Sequence, residues 1–99
     1  MKLLQANPRA EISGSIYSAL NEKERSLRGG TTSFYKEKGK WKHVKFKGWV
    51  TVTNGPENIL FAKVQSRVDT DEWQIYESFI GYLTRHCGKL IDTLTIYYR

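Results

Sequence analysis

Residues 36–49, KEKGKWKHVKFKGW, hold six lysines, two tryptophans and a histidine against a single carboxylate, Glu37. Ammonium groups at that density neutralise phosphates, and indole rings stack on unpaired bases at about 1–3 kcal/mol each, so this composition supports polyanion binding. The surplus charge is local. Residues 1–58 hold eleven Lys and Arg against five Asp and Glu, whereas residues 59–99 hold five of each, so the whole formal charge of +6 lies in the first part of the chain. Such a field attracts nucleic acid, an acidic membrane or an acidic protein surface alike.

No reactive constellation accompanies it. His86 and Cys87 are neighbours, but adjacent helical side chains diverge, and a thiol within a core stripe is inert. His43, His86 and Cys87 stand at unrelated spacings and fall short of the four ligands of a structural zinc site. Gly29 and Gly30 lead into a strand with no Lys-Ser/Thr pair behind them, unlike a phosphate-binding loop. Asp71 and Glu72 suit the positive end of a helix dipole. The expectation is a binding protein rather than an enzyme, with no cofactor and no metal. A lone cysteine allows no intrachain disulfide, MKLLQANPRA is too polar for a signal-peptide core, and no apolar run approaches the roughly 18 residues of a membrane span. A cytoplasmic protein that does not engage the membrane is expected.

A chain of 99 residues has room for one core, so residues 1–99 are expected to form a single domain, with residues 1–10 as a flexible arm. Residues 12–28 carry two patterns. Ile12, Gly14, Ile16, Ser18 and Leu20 alternate as in a strand, while Ile16, Ala19, Leu20, Lys23 and Leu27 share a helical face that Gly29 and Gly30 would end; the helix, about 15–28, is preferred. From Thr31 the period changes to two. TSFYKEK, WKHVKFKGWVTVT and ENILFAKVQSRV predict an antiparallel three-stranded meander over about 31–68, turning at Gly39-Lys40 and at the NGP of residues 54–56, with Gly48 as a bulge in the long second strand.

A helix is predicted over about 70–87. Asp69 and Glu72 have the spacing of a capping box, and Trp73, Tyr76, Ile80, Leu83 and Cys87, widened by Phe79, recur at core-facing spacing up to a left-handed cap at Gly88. LIDTLTIYYR then predicts a strand over about 90–98, running parallel to the strand before the helix through a right-handed crossover. The fold class is α+β.

These elements determine what the basic stretch can present. In one continuous strand over 41–53, Val44, Phe46, Val50 and Val52 would face the helix, leaving Trp41, His43, Lys45, Lys47 and Trp49 on the other side. The hairpin register adds Phe34, Lys36 and Lys38 to that side, with Lys40 in the turn. Those nine residues form the candidate face for single-stranded or structured DNA or RNA. Two other readings fit the same residues: lysines on edge strands block aggregation, and the N-terminal helix could cover the tryptophans. A second function class is a small interaction or inhibitor protein that docks on an acidic surface of a larger protein, such as one that processes nucleic acid. The last strand, if at a sheet edge, could also pair with itself in a homodimer.

KFKGWVTV at 45–52 resembles the inner-strand motif of the RNA-recognition motif family at Lys45, Gly48, Trp49 and Val50, and departs from it at Phe46, Lys47 and Val52. The order helix, three strands, helix is similar to that of double-stranded RNA-binding domains, whose second helix begins with basic residues where this chain has Asp69, Asp71 and Glu72. Either resemblance implies RNA recognition; the departures leave the chain assigned to neither family.

Overall fold

The computed structural model describes residues 1–11, 14–30 and 32–97. Ile12, Thr31 and Tyr98, each assigned to a strand or a face above, lie outside the described residues. The elements run β1 (Lys2–Pro8), α1 (Ile16–Leu27), β2 (Phe34–Glu37), β3 (Lys40–His43), β4 (Trp49–Asn54), β5 (Leu60–Gln65), α2 (Asp69–Cys87) and β6 (Ile91–Tyr97). They build one six-stranded sheet in the order β2-β3-β4-β5-β1-β6, with every neighbouring pair antiparallel. This is an α+β fold with both helices on one face of the sheet.

The N-terminal residues are no arm. Lys2, Leu4 and Ala6 are buried on the helix side, and both edges of β1 are paired, with β5 on one side and β6 on the other. An alternation only five residues long, set among polar residues, is weak in sequence; two flanking strands that satisfy its backbone make it a central strand. That insertion also overturns the expected parallel pairing of the last strand, because the neighbour β6 meets is β1, to which it runs antiparallel.

Helix α1 opens on Ser15, whose hydroxyl accepts a 3.0 Å hydrogen bond from the Ser18 amide, and it buries Ile16, Leu20 and Glu24 at successive i+4 positions. Lys23, placed on the buried face by sequence, points outward. Helix α2 buries Ile75, Tyr76, Phe79, Tyr82, Leu83 and Cys87. Phe79 therefore sits at the centre of the stripe instead of its margin, while Trp73 is exposed at the rim, with the Lys2 ammonium 4.2 Å from its ring centroid. The capping box does not form. The N-cap residue is Val68, Asp69 is already helical, and Glu72 turns inward to an ion pair with the Met1 amine at 3.0 Å. Gly88 is right-handed (φ −56°) and carries the chain on into a 3-10 turn.

The first hairpin turns at Lys38 and Gly39, both at positive φ (52° and 78°), so Glu37 pairs with Lys40 and Lys36 with Trp41. The turn is one residue earlier than the predicted Gly39-Lys40. The long second strand is in fact two. After His43 the chain leaves the sheet for residues 44–48 and re-enters at Trp49, where Trp41 pairs with Val50, so the meander has four strands rather than three. Gly48 permits the re-entry: its φ is +143°, and a Cβ there would lie 2.6 Å from the Gln65 carbonyl oxygen and 2.8 Å from Ile75 Cδ1. Asp71, in the first turn of α2, accepts a 3.0 Å hydrogen bond from the Lys47 amide and holds the excursion against the helix.

Candidate nucleic-acid interface

The excursion at 44–48 decides which side chains are presented. Trp41 and Trp49 are eight residues apart and would share a face in one unbroken strand; the interruption sends them to opposite faces. Trp41 and Phe34 turn towards α2 and are 2% and 1% exposed. There they join an aromatic cluster, with Phe34 5.4 Å from Phe79 and 5.3 Å from Tyr82, and Trp41 6.3 Å and 6.1 Å from the same two rings, centroid to centroid. Rings held in this way offer no surface on which a base could stack. Their predicted place on the binding face is corrected: the face of β2 and β3 that carries them is the one the helices cover.

The other predicted residues scatter. Lys36 lies on the covered side, half-buried, where its ammonium donates to Asn21 Oδ1 at 2.8 Å and sits 5.7 Å from the Trp41 ring centroid. His43 is half-buried there too, edge-on to Phe34 at 5.1 Å and tilted over Phe46 at 4.8 Å. Burial, with Lys45 nearby, lowers its pKa from the usual histidine value, so at neutral pH it contributes no positive charge. Lys38 is exposed in the hairpin turn, and Lys45 and Lys47 are exposed on the excursion. Val44 and Phe46, expected under the helix, are also on the excursion, Val44 being 61% exposed and Phe46 half-buried. Only Lys40 and Trp49 reach the open face together, with the Lys40 ammonium 4.6 Å from the Trp49 ring centroid.

That open face extends across the whole sheet. Each strand sends alternate residues to it. Lys42 stands beside Tyr35, Trp49 and Thr51 follow on β4, Phe61 and Lys63 on β5, Leu3 and Gln5 on β1, and Thr95 and Tyr97 on β6. The register places Lys63 between Leu3 and Thr51, Gln5 between Phe61 and Thr95, and Leu3 between Lys63 and Tyr97. A shallow groove of about 430 Å³ runs here, lined by Leu3, Gln5, Thr51, Thr53, Phe61, Lys63 and Tyr97. Phe61 and Tyr97, 39% and 37% exposed, form its aromatic walls. The Phe61 ring lies directly over Gly55, where a Cβ would collide with it, so the glycine of the NGP turn also makes room for the ring. Gln5 Nε2 donates to Asn7 Oδ1 at 3.0 Å, which leaves Gln5 Oε1 available to accept a bond.

Lys42, Phe61, Lys63, Leu3, Gln5 and Tyr97 were not among the residues singled out by sequence. The alternation LFAKVQ carries the signal for two of them, because Leu60, Ala62 and Val64 are buried and place Phe61 and Lys63 opposite. Leu3, Gln5 and Tyr97 could be placed only by knowing that β1 lies between β5 and β6.

One ion pair stands at the surface of this face. Lys42 donates to Glu37 at 2.7 Å, which lowers the Glu37 pKa and raises that of Lys42. Cys87 is buried, and desolvation raises its thiol pKa, the opposite of an activated nucleophile. Among the described residues, no helix is long and apolar enough to cross a membrane, and no three His, Cys, Asp or Glu side chains come together as metal ligands do. Comparison with known protein families, characterised proteins and solved structures finds no match to this chain.

Proposed function

We propose that this chain is a small binding module for single-stranded nucleic acid, and that the ligand lies on the open face of the sheet. The observation that carries the proposal is the exposure of Phe61 and Tyr97, with Trp49 half-exposed, beside Lys40, Lys42 and Lys63 on a face that neither helix covers. Rings on a flat sheet stack on bases, and the ammonium groups beside them neutralise phosphates. A duplex conceals its base faces, so rings placed this way favour unpaired strands. The working location is the cytoplasm, where the buried Cys87 thiol stays reduced.

Titration of fluorescent single- and double-stranded DNA and RNA at about 50 and 200 mM salt tests the reading. With three phosphates neutralised on a single strand, log affinity falls against log salt with a slope of roughly −2.1, a loss of about twenty-fold over that range. Absence of binding at the lower salt overturns the proposal. The second reading, docking on an acidic protein surface, draws on Val44, Lys45 and Lys47, which are exposed on the excursion between β3 and β4. It predicts binding that survives removal of Phe61 and Tyr97 and fails when Lys45 and Lys47 become alanine.

A further inference from the structure

The sheet ends in two edges that differ in kind. At one end β2 is four residues long, carries Lys36 and Glu37, and runs directly into Lys38. Its inward-facing ring, Phe34, is fully buried. A short, charged strand resists pairing with another chain. At the other end β6 is seven residues long, IDTLTIY, with Asp92 as its one charged residue. Asp92 stands at the irregularity where the register with β1 shifts, so the regular stretch, Thr93–Tyr97, has no charge at all. Threonine, isoleucine and tyrosine make that stretch a strong strand former, and no further strand pairs with its outer side among the described residues.

Burial gives a second, independent contrast. Inward-facing Leu4 and Ala6 of β1 and Leu60, Ala62 and Val64 of β5 are 0–2% exposed, whereas Leu94 and Ile96 of β6 are only half-buried against the same core. The core is finished at the β2 end and unfinished at the β6 end.

We propose that β6 pairs with β6 of a second copy of this chain, antiparallel, about a two-fold axis through Thr95. In that register Leu94 of each copy faces Ile96 of the other on the helix side, which completes their burial. Thr93 of each faces Tyr97 of the other on the open side, and Thr95 faces itself. No charge meets a like charge. The axis is perpendicular to the sheet, so both sets of helices stay on one side and the product is a continuous twelve-stranded sheet. The two Tyr97-walled grooves then flank the junction on one open surface. Self-pairing does not depend on what that surface binds.

Sedimentation velocity in about 150 mM salt, from a few micromolar to several hundred micromolar chain, tests the proposal. The expected result is a weight-average mass that rises from one chain towards two. The double variant Thr93→Lys/Thr95→Lys sets lysines against each other across the axis and should remain at one chain throughout, with an unchanged circular dichroism spectrum. Thr95→Cys supplies a positive test that needs no loss of pairing. Across a two-fold axis its Cα atoms fall within the roughly 4.4–6.8 Å that a disulfide spans, so mild oxidation should yield a covalent dimer, whereas Tyr35→Cys on the opposite edge should not. A single-chain mass at every concentration overturns the proposal. So does a dimer that persists in the folded double-lysine variant, because the contact would then lie elsewhere.

Discussion

Trp41 and Trp49 belong to the same fourteen-residue basic stretch and meet opposite fates. Trp41 packs edge-on against Phe79 and Tyr82 and is 2% exposed. Trp49 stays half-exposed under the Lys40 ammonium on the open face. The five residues 44–48 between β3 and β4 account for the difference, because a chain that leaves the sheet and returns need not keep its parity. Composition recruits aromatic and cationic groups to a region; backbone continuity decides whether they build a core or a surface.

The contrast is easiest to break at Trp41. Trp41→Ala should cost about 3–5 kcal/mol, enough to unfold much of the population of a chain this size, whereas Trp49→Ala should cost well under half as much. Urea denaturation followed by circular dichroism measures both, and equal losses would mean that the two rings are not on different faces. Next in size is Gly48→Ala, which removes the residue that lets the chain re-enter the sheet. Positive φ and the collision with the Gln65 carbonyl together should cost roughly 2–3 kcal/mol. Gly39→Ala, also at positive φ but with nothing within 4 Å of the added carbon, should cost less than half of that.

On the open face the effects move from stability to affinity. Phe61→Ala and Tyr97→Ala should each weaken single-strand binding roughly ten- to a hundred-fold, since one stacked base is worth about 1–3 kcal/mol. Their unfolding midpoints should shift little, because both rings are more than a third exposed.

The pH dependence is a smaller effect and belongs to the covered side. His43 has its pKa lowered chiefly by burial, so its contribution to stability is present above the ordinary histidine value and is lost as pH falls below about 6.5 towards its folded pKa. Glu24 follows at lower pH. The Arg28 guanidinium bonded to it holds its carboxyl below the usual range, so its contribution is present above about pH 4.5 and is lost as pH falls through the folded value. Denaturation midpoints for His43→Gln should be flatter than wild type between about pH 7 and 5.5; unaltered pH dependence would show that the ring is not desolvated.

Much of the fold was legible in the sequence. Helical spacing located α1 and α2 within a residue or two of their ends, and period-two alternation with Gly39 and NGP located the hairpin and β5. The site was legible only in kind. The lysines and rings of residues 36–49 stand out by composition, but seven of the nine residues that alternation assigns to one face stand elsewhere, because the break at 44–48 depends on contacts to Gln65, Asp71 and Ile75 that lie far along the chain. Strand β1 escaped for a similar reason. Its five alternating residues mean little alone and become a central strand only when β5 and β6 arrive on either side.

Amide chemical-shift mapping with a short oligothymidylate in low salt reports whether ligand lies on the sheet face the helices leave open. Perturbations should concentrate on Leu3, Gln5, Trp49, Thr51, Phe61, Lys63 and Tyr97, with α1 and the exposed side of α2 unmoved. Perturbations confined to residues 44–48 or to the helices, or none at saturating oligonucleotide, would contradict that placement.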